Sequence, residues 1–510
     1  MYASILAGGL DGIRSYISKV EVDLRKGLPG FDMVGKLGQE VKEAKERVQV
    51  ALKNCDVEVP PTHITVNISP AGVHKSGTAY DLPIAVGIMV AMGAIPAENS
   101  EKMLILGELG LRGEIRPVSG VLPIILTAKE EKIEKCIVPA ANAREASFVD
   151  GIEIIGASTF NEVMEILTNV SVLQEHVVPH TSIEECIEKV TYSMDFSDVA
   201  GQEACKRAAT IAAAGFHHLL IVGPPGSGKT MIARRMPTIM PPLTAEEALD
   251  VSTIYSVSGL LDEKMPLITK RPFMNPHHTS TKQALAGGGT PPRPGIVSLS
   301  HKGVLFLDEF PEFGRDCIEV LREPLEDKRI QVSRTSGTYT YPADLMLVAA
   351  ANPCPCGYFP NRNLCNCSVS QITRYRGKIS GPMRDRIDII VTSQKIDFEH
   401  LQNRRPDDMT SSKLREAVLT ARAMQEKRFD GTVIRFNSQI TSGMMEKYCV
   451  LGEVEQEYMN DIYREMNLTA RSYHKILKVA RTIADLEGSE DIKVTHLAEA
   501  VCYRGGNDLI

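Results

Sequence analysis

The 510-residue sequence has no apolar run long enough to suggest a membrane span. Its longest uncharged apolar stretch covers residues 82–97, which is shorter than the ~20 residues that a bilayer requires. The stretch also contains Pro83 and Gly87, so we interpret it as a buried helix. The first residues, MYASILAGGLDGIRS, lack the charged and apolar regions of a secretory signal. We therefore expect a cytoplasmic protein without membrane attachment.

Two other features are weak or missing. The chain has no excess of basic residues, because 57 Lys and Arg against 64 Asp and Glu give a net charge of −7. This balance argues only weakly against DNA binding, since a ring-shaped protein can bind through a few basic loops. The 11 cysteines are mostly scattered singly, which is not the pattern of a secreted disulfide framework. No internal repeat or low-complexity segment is present.

The length suggests roughly three domains, and the texture of the sequence changes along the chain. Strand-like residues 64–70 and helix-like residues 39–54 indicate a mixed α/β domain at the start. Further on, apolar strands are followed by Gly-rich turns, which is the pattern of a parallel sheet. The last part of the chain is helical, and its amphipathic helix ends at Gly488. We predict an α/β domain over 1–170, a linker over 171–194, a P-loop domain over 195–392 and a helical lid over 393–510.

The strongest motif is HLLIVGPPGSGKT at residues 218–230, where an apolar strand runs into a P-loop followed by a helix. Lys229 is expected to reach the β- and γ-phosphates of ATP, and the Thr230 hydroxyl to bind Mg²⁺. The loop wraps phosphates at a helix N-terminus, where the helix dipole favours negative charge. The residues predicted to bind the nucleotide are Gly223, Pro224, Pro225, Gly226, Ser227, Gly228, Lys229 and Thr230.

Two further strands end in polar residues that suit phosphoryl transfer. GVLFLDEF, at residues 303–310, places Asp308 to hold Mg²⁺ and Glu309 to polarise the attacking water. DLMLVAA, at 344–350, ends close to Asn352, whose amide is suited to contact the γ-phosphate or the water. Together with the P-loop, these residues predict an ATP hydrolase.

Four cysteines lie directly after Asn352 as two C-x-C pairs: Cys354, Cys356, Cys365 and Cys367. Four thiolates can form a closed tetrahedral shell, which is typical of structural zinc. The surrounding prolines and glycine indicate a loop, and a loop without its own core is stabilised most by a metal. Free thiols and disulfides are the alternatives. We interpret the cluster as a zinc site that holds a loop beside the ATP site.

Residues 271–313, RPFMNPHHTSTKQALAGGGTPPRPGIVSLSHKGVLFLDEFPEF, resemble the magnesium-chelatase-like clade of AAA+ ATPases. The whole chain resembles the YifB/ComM family within that clade. The resemblance implies a homo-hexameric ring, with Asn352 as sensor 1, Arg471 as sensor 2 and Arg386 as the arginine finger that reaches a neighbour's ATP. The motif GPMRDR departs from the family pattern at Met383 and Arg384, so Arg384 stays an alternative finger.

The same resemblance assigns three other segments. Residues 195–203 would line the adenine side of the nucleotide, and residues of about 255–300 would form the insertion in helix 2. Residues 328–344 alternate around Ser336-Gly337, as a β-hairpin does. In the family this hairpin faces the ring pore, with Lys328, Arg329 and Arg334 as candidate substrate contacts.

The N-terminal domain resembles the proteolytic domain of Lon-type proteases, in SPAGVHKSGTAYDLPIAVG and LGELGLRGEIRPVSGVLPII. That chemistry needs a serine activated by a lysine, but the matching positions hold Ala79 and Leu122. Lys75 and Ser76 are adjacent on a loop and do not replace the pair. We expect a scaffold and not a protease.

By resemblance to ComM, the ring would act on single-stranded or branched DNA, with branch migration in recombination or natural transformation. Two alternatives are a magnesium-chelatase motor subunit and a protein-remodelling ATPase that acts through a protein partner. The Lon-like domain argues against the chelatase alternative, because we expect chelatase motor subunits to lack it. The complete set of Lys229, Asp308, Glu309 and Asn352 argues against a role in which ATP is only a switch.

Overall fold

The structure is a computed structural model that describes residues 1–289, 291–334, 337–395 and 409–504. Its first part is built on an eight-stranded sheet with the order β10-β9-β8-β5-β1-β2-β4-β3. The strands of this part are β1 (Tyr2–Asp11), β2 (Arg14–Lys26), β3 (Gly30–Val34), β4 (Thr62–Ser69), β5 (Met103–Ile105), β6 (Glu108–Leu109), β7 (Ile115–Arg116), β8 (Lys135–Pro139), β9 (Glu153–Ala157) and β10 (Val177–Val178). The two short strands β6 and β7 pair only with each other.

The helices of this part cover the two faces of the sheet. They are Gln39–Lys42, Ala44–Asn54, Asp81–Met92, Val121–Glu130, Ala140–Ala146, Phe160–Thr168 and Val170–Glu175, with a 3₁₀ turn at Ala97–Asn99. The buried helix predicted over 82–97 is confirmed as Asp81–Met92, in which all residues but the last are buried. It ends earlier than predicted because Gly93 adopts a left-handed φ of 79°, which terminates the helix.

The second part is a five-stranded, all-parallel sheet with the order β12-β15-β18-β11-β19. Its strands and the paired ribbons beside it are β11 (Leu219–Val222), β12 (Phe273–Met274), β13 (Gly287–Gly288), β14 (Arg293–Pro294), β15 (Val304–Leu307), β16 (Arg329–Arg334), β17 (Gly337–Pro342), β18 (Met346–Ala351) and β19 (Ile389–Thr392). The central strands are apolar and fully buried, as expected for a parallel sheet covered on both faces.

Helices pack on both faces of this sheet. The helices of this part of the chain are Ile183–Glu188, Glu203–Gly215, Lys229–Ile239, Ala245–Val257, Lys282–Ala286, Ile296–Leu299, Arg315–Val320, Pro324–Asp327, Val369–Arg376 and Gly381–Arg384, with 3₁₀ turns at Phe196–Asp198 and Phe310–Glu312. The mixed α/β class and the parallel sheet agree with the sequence analysis.

The last part is helical and consists of Ser411–Arg428, Met445–Tyr448, Glu453–Glu465, Ala470–Leu486 and Val494–Cys502, with 3₁₀ turns at Asn437–Gln439 and Ser442–Met444. Helix Ala470–Leu486 ends as predicted, with Gly488 just beyond it at a φ of 69°. The lid packs on the sheet domain through a shared apolar core and through Ser411, whose hydroxyl accepts from the backbone N–H of Phe196 at 2.8 Å. Among the helices that the structure describes, none is both long and apolar enough to cross a bilayer.

Two segments differ from the sequence-based expectations, and a third agrees with them. The first sheet extends beyond residue 170 to β10, because Val177 and Val178 pair with β9. The segment expected to be an insertion, about 255–300, contains β12, which forms the edge of the parallel sheet beside β15. The predicted hairpin is present as β16 and β17, with Arg334 opposite Gly337, while Ser336 of its turn lies outside the described residues.

Candidate active site

Three neighbouring strands of the parallel sheet end at one edge and bring the predicted ATP residues together. The P-loop follows β11, Asp308 follows β15 and Asn352 follows β18. The Thr230 hydroxyl donates to Asp308 Oδ2 at 2.8 Å, and Lys229 Nζ donates to Asn352 Oδ1 at 3.2 Å. Residues up to 123 positions apart in the sequence therefore form one polar site at the carboxyl edge of the sheet.

The P-loop has the shape that a phosphate needs. Gly226 and Gly228 have left-handed φ angles of 75° and 88°, and among the described residues no atom lies within 4 Å of a Cβ added to either. Space is therefore free beside both glycines, and their backbone conformation favours glycine. Lys229 Nζ also donates to the carbonyls of Gly223 and Pro224, at 2.7 and 2.9 Å. Burial lowers the pKa of Lys229, and the nearby charges of Asp308 and Glu309 oppose that shift.

The residues present fit a magnesium ion with a nucleotide. Thr230 and Asp308 offer a hydroxyl and a carboxylate oxygen 2.8 Å apart, and oxygen ligands are what Mg²⁺ prefers. Segment 195–203, predicted on the adenine side, reaches the loop through Gln202, whose amide donates to the carbonyls of Ser227 and Gln394 at 3.0 and 2.5 Å.

Glu309 has a partner that the sequence analysis did not identify. His278 Nδ1 lies 3.4 Å from Glu309 Oε2, and its ring is 4.2 Å from the ring of His277 and 6.5 Å from that of Phe313. Glu309 itself has a left-handed φ of 51°, which is uncommon outside glycine and frequent at functional sites. The signal in the sequence was the His-His pair shortly after the edge strand β12, but its pairing depends on the fold.

Arg386 and Arg471 lie at the opposite edge of the sheet. Arg386 comes just before β19, and Ile389 at the start of β19 pairs with Leu219 at the start of β11. The P-loop follows the other end of β11, so four residues of strand, about 13 Å, separate the two edges. Arg386 and Arg471 both bind Glu326, the latter at 3.0 Å. Neither arginine is placed to contact a nucleotide on its own P-loop.

The surroundings of Arg386 form a cationic groove of about 860 Å³ between the sheet domain and the lid. Arg386 is 8% exposed and also donates to the carbonyls of Arg322 and Pro382, at 3.2 and 2.7 Å. Arg384, the alternative finger, lies two residues earlier at the end of helix Gly381–Arg384. Lys475 from the lid binds Asp388 at 2.6 Å, and burial lowers the pKa of Lys475 to about 8.

The hairpin formed by β16 and β17 projects with two exposed arginines. Arg329 and Arg334 are exposed, and Lys328 is also exposed, with 43% of its side chain accessible, but its ammonium lies 3.4 Å from Asp344. Tyr339 packs against Gly12 in the β1–β2 turn, where an added Cβ would lie 2.8 Å from Tyr339 Cδ1. The hairpin therefore contacts the N-terminal domain.

The four predicted zinc ligands come together in space. Their ligand atoms all lie within 4.8 Å of one another, and Cys354 Sγ is 3.3 Å from Cys356 Sγ and 3.8 Å from Cys365 Sγ. The backbone N–H of Tyr358 lowers the pKa of the Cys356 thiol, whereas burial and the neighbouring sulfurs raise the pKa values of Cys365 and Cys367. A set of four sulfur ligands at this spacing fits a zinc ion.

In the N-terminal domain, the positions that match the Lon serine and lysine are apolar. Leu122 is buried near the start of helix Val121–Glu130, and Ala79 packs against the same apolar cluster. Lys75 is fully buried, and its ammonium donates to the carbonyls of Pro70 and Val73. It therefore stabilises its own loop and is not directed at Ser76.

Comparisons with known proteins agree with this architecture. Family models match residues 195–401 (Magnesium chelatase, subunit ChlI), 20–142 (Subunit ChlI of Mg-chelatase) and 408–504 (Magnesium chelatase, subunit ChlI C-terminal). Together with the parallel sheet and its P-loop, these matches define a magnesium-chelatase-like AAA+ ATPase.

Full-length relatives define the family more narrowly. The chain is 40% identical to competence protein ComM of Haemophilus influenzae, over 97% of this chain and 95% of that protein. It is 37% identical to the uncharacterized protein YifB of Escherichia coli, over 98% of this chain and 96% of that protein. The chain belongs to the YifB/ComM family. A shorter similarity, 35% identity over 25% of this chain and 23% of the relative, links it to Lon protease 2 of Bacillus subtilis.

Proposed function

We propose that the protein is a ring-forming, Mg²⁺-dependent ATP hydrolase that moves or remodels DNA. The observation that carries the proposal is the division of the ATP machinery between two edges of one sheet. Lys229, Asp308, Glu309 and Asn352 lie at the carboxyl edge, while Arg386 and Arg471 share Glu326 at the amino edge. A complete site then needs two subunits, and a closed ring, which we propose is a homo-hexamer, lets each chain complete the site of its neighbour.

Each residue of this chain has a defined role in that site. Lys229 leaves the carbonyls of Gly223 and Pro224 to bind the β- and γ-phosphates, and Thr230 and Asp308 hold Mg²⁺. When bound, Mg²⁺ neutralises charge that develops on the phosphates. Glu309 orients the attacking water and accepts its proton.

The other polar residues act around that step. Asn352 orients the γ-phosphate or the water as sensor 1, next to Lys229. Arg386 and Arg471 approach the γ-phosphate of the neighbouring subunit's ATP, as finger and sensor 2, after they leave Glu326. Because hydrolysis changes what these arginines contact, each turnover alters the interface between subunits.

His278 is proposed as the residue that positions Glu309. We expect His278→Ala to lower kcat for ATP hydrolysis about tenfold, because the carboxylate loses its partner at 3.4 Å and no longer holds the water in line. His278→Gln, which keeps a hydrogen-bond donor, should recover most of that loss. Steady-state ATPase and nucleotide titration measure kcat and Kd separately, and Kd should not change.

The matched control for His278 is its neighbour His277, which bonds Thr279 at 2.8 Å and does not pair with Glu309 in the structure. His277→Ala should keep kcat within about twofold. A His278→Ala protein with normal kcat, or one that His278→Gln fails to recover, contradicts the positioning role.

The four cysteines are proposed to hold a structural zinc ion. A closed shell of Cys354, Cys356, Cys365 and Cys367 leaves no ligand position for a substrate or a catalytic water. The metal would therefore contribute stability to the loop and not chemistry. Its position directly after Asn352 connects it to the ATP site.

DNA is proposed as the substrate on two grounds. The hairpin of β16 and β17 presents Arg329 and Arg334 to solvent, and arginines on an exposed hairpin suit phosphate contacts. The relative from H. influenzae is named a competence protein, and branch migration of incoming or recombining DNA fits that name. Lys328 is a weaker candidate than the sequence analysis supposed, since it is paired with Asp344.

ATPase assays with and without DNA test this substrate. We expect single-stranded and four-way-junction DNA to raise kcat several-fold, and the stimulation to fall as salt rises, because phosphate contacts release counterions. Arg329→Ala with Arg334→Ala should remove the stimulation but keep the basal rate. ATPase that is indifferent to all DNA substrates would contradict the DNA proposal and direct the search to protein partners.

The chelatase alternative keeps one observation in its favour. The family model over residues 20–142 also carries the chelatase name, so an N-terminal domain does not separate the two functions as the sequence analysis assumed. Similarity to ComM and YifB over nearly the whole chain favours the DNA proposal. ATPase stimulated by a chelatase partner protein and not by DNA would decide for the alternative.

A further inference from the structure

The loop that carries the four cysteines touches the P-loop directly. Gly357, which lies between the two C-x-C pairs, is buried against Pro225 of the P-loop. A Cβ added to Gly357 would lie 2.5 Å from Pro225 Cδ and 2.8 Å from Pro225 Cγ. Since Gly357 also has a left-handed φ of 84°, both its conformation and its contact require glycine. The cysteine loop therefore forms a wall against the phosphate-binding loop.

The same loop is also linked to Asn352. Asn352 precedes Cys354 by two residues, and its side chain accepts from Lys229 Nζ at 3.2 Å. Arg376, the last residue of helix Val369–Arg376, donates to the carbonyl of Pro353 at 3.4 Å. The guanidinium of Arg376 lies 5.0 Å from the centre of the Phe359 ring, inside the cysteine loop. Helix Val369–Arg376 thus contacts the chain directly after Asn352 and the cysteine loop that follows.

The loop has almost no apolar core to maintain this shape. Cys354, Cys365 and Ile372 form a small buried cluster that is separate from the two larger clusters on the faces of the parallel sheet. Backbone hydrogen bonds inside the loop are few and local, such as Gly357 N to Cys354 O at 3.0 Å. A segment of this kind keeps a single conformation only when a cross-link or a metal holds it.

We infer that a zinc ion on the four cysteines fixes the wall of the nucleotide site, so that nucleotide affinity depends on the metal. The inference rests on the proposed ATP site and states that the metal regulates the affinity of that site for nucleotide. Loss of the metal frees Gly357 from Pro225 and Asn352 from its position beside Lys229. Binding of ATP must then reorder both elements, and the free energy of that ordering is subtracted from the affinity.

The test measures zinc and nucleotide binding on the same full-length protein. Elemental analysis of the purified chain should give about one zinc per chain, and a fluorescent ATP analogue gives Kd before and after removal of zinc by a chelator. We expect Kd to rise about tenfold without zinc and to return when zinc, but not additional Mg²⁺, is added back. Circular dichroism confirms that the zinc-free chain stays folded.

Two variants distinguish the effect of zinc on nucleotide binding from the effect of the contact between Gly357 and Pro225. Cys365→Ser should lose zinc and weaken nucleotide binding about tenfold, whereas Cys502→Ser, an exposed cysteine elsewhere, should change neither. Gly357→Ala keeps all four cysteines but places a Cβ against Pro225. Because all four ligands remain, this variant should still contain about one zinc per chain, and it should weaken nucleotide binding several-fold.

The outcomes separate this inference from the proposed function. A wild-type chain that binds nucleotide equally well with and without zinc, or that binds it tightly without containing zinc, overturns the inference alone. A wild-type chain that contains zinc but binds no nucleotide overturns the proposed function and the inference with it. Normal nucleotide affinity in Gly357→Ala would show that the wall contact has no effect and would also refute the inference.

Discussion

Replacing Glu309 with glutamine is expected to lower kcat for ATP hydrolysis by about 10²–10⁴-fold while ATP binding is kept. Glutamine has nearly the same shape as glutamate, but it cannot accept a proton from the attacking water. The proposed Mg²⁺ ligands Thr230 and Asp308, whose oxygens are 2.8 Å apart, and the P-loop Lys229 are unchanged by this substitution. Phosphate release in a steady-state assay gives kcat, and titration of a fluorescent ATP analogue gives Kd.

The matched control is Glu312, an acid three residues further along the chain. Glu312 binds Lys378 at 2.8 Å on the surface and has no part in the proposed site. Glu312→Gln should therefore keep at least half of the wild-type rate. If Glu309→Gln hydrolyses ATP at a rate close to that of the control, Glu309 is not the residue that activates water.

Replacing Arg386 with alanine is expected to lower kcat by about 10³-fold, the scale reported for arginine fingers in phosphoryl transfer. The reason is the loss of a positive charge at the γ-phosphate of the neighbouring subunit. Arg386 is at the amino edge of the sheet, about 13 Å of strand away from its own P-loop, so it acts only across an interface. Alanine at 386 should leave Kd for ATP within a few-fold of wild type.

Mixing two inactive proteins tests whether Arg386 acts across the interface. Lys229→Ala removes the phosphate-binding lysine and Arg386→Ala removes the finger, so each protein alone should be inactive. In a mixed ring, a P-loop from an Arg386→Ala chain can face an intact Arg386 on a Lys229→Ala chain. Activity should therefore reappear on mixing, and its absence in confirmed mixed rings would contradict a finger that acts between subunits.

Arg384 provides the decisive comparison for this prediction. It lies two residues before Arg386, at the end of helix Gly381–Arg384, and the sequence does not decide between the two. We expect Arg384→Ala to lower kcat less than tenfold. If the Arg384→Ala protein is inactive in ATP hydrolysis on its own but regains activity when it is mixed with Lys229→Ala, the arginine finger is Arg384.

The residues of the proposed ATP site at the carboxyl edge could be brought together from the sequence because each follows a strand directly. Strand β11 leads into the P-loop, β15 into Asp308 and Glu309, and β18 into Asn352. In a parallel sheet, neighbouring strands end at one edge, so local patterns translate into a common location. The four cysteines could also be recognised from the sequence, because all of them lie within 14 consecutive residues with the spacing of metal ligands.

Other parts of the site depend on contacts between segments that are far apart in the sequence. The pairing of His278 with Glu309 arises because β12 lies beside β15 in the sheet, and nothing local to His278 indicates it. The contact between Gly357 and Pro225 joins residues 132 positions apart in the numbering, and glycine alone does not show which neighbour it faces. The pairing of Lys328 with Asp344 likewise makes Lys328 a weaker candidate for a substrate contact.

The sequence by itself determined the family, the α/β class, the P-loop with its proposed Mg²⁺ ligands and the four-cysteine cluster, because these features are encoded in short segments with fixed spacing. Only the tertiary structure decided where the arginines point. Arg386 and Arg471 are 85 positions apart in the numbering, yet both bind Glu326 at the edge of the sheet opposite to the P-loop. The order and direction of parallel strands decide that placement, and these depend on the packing of the whole sheet.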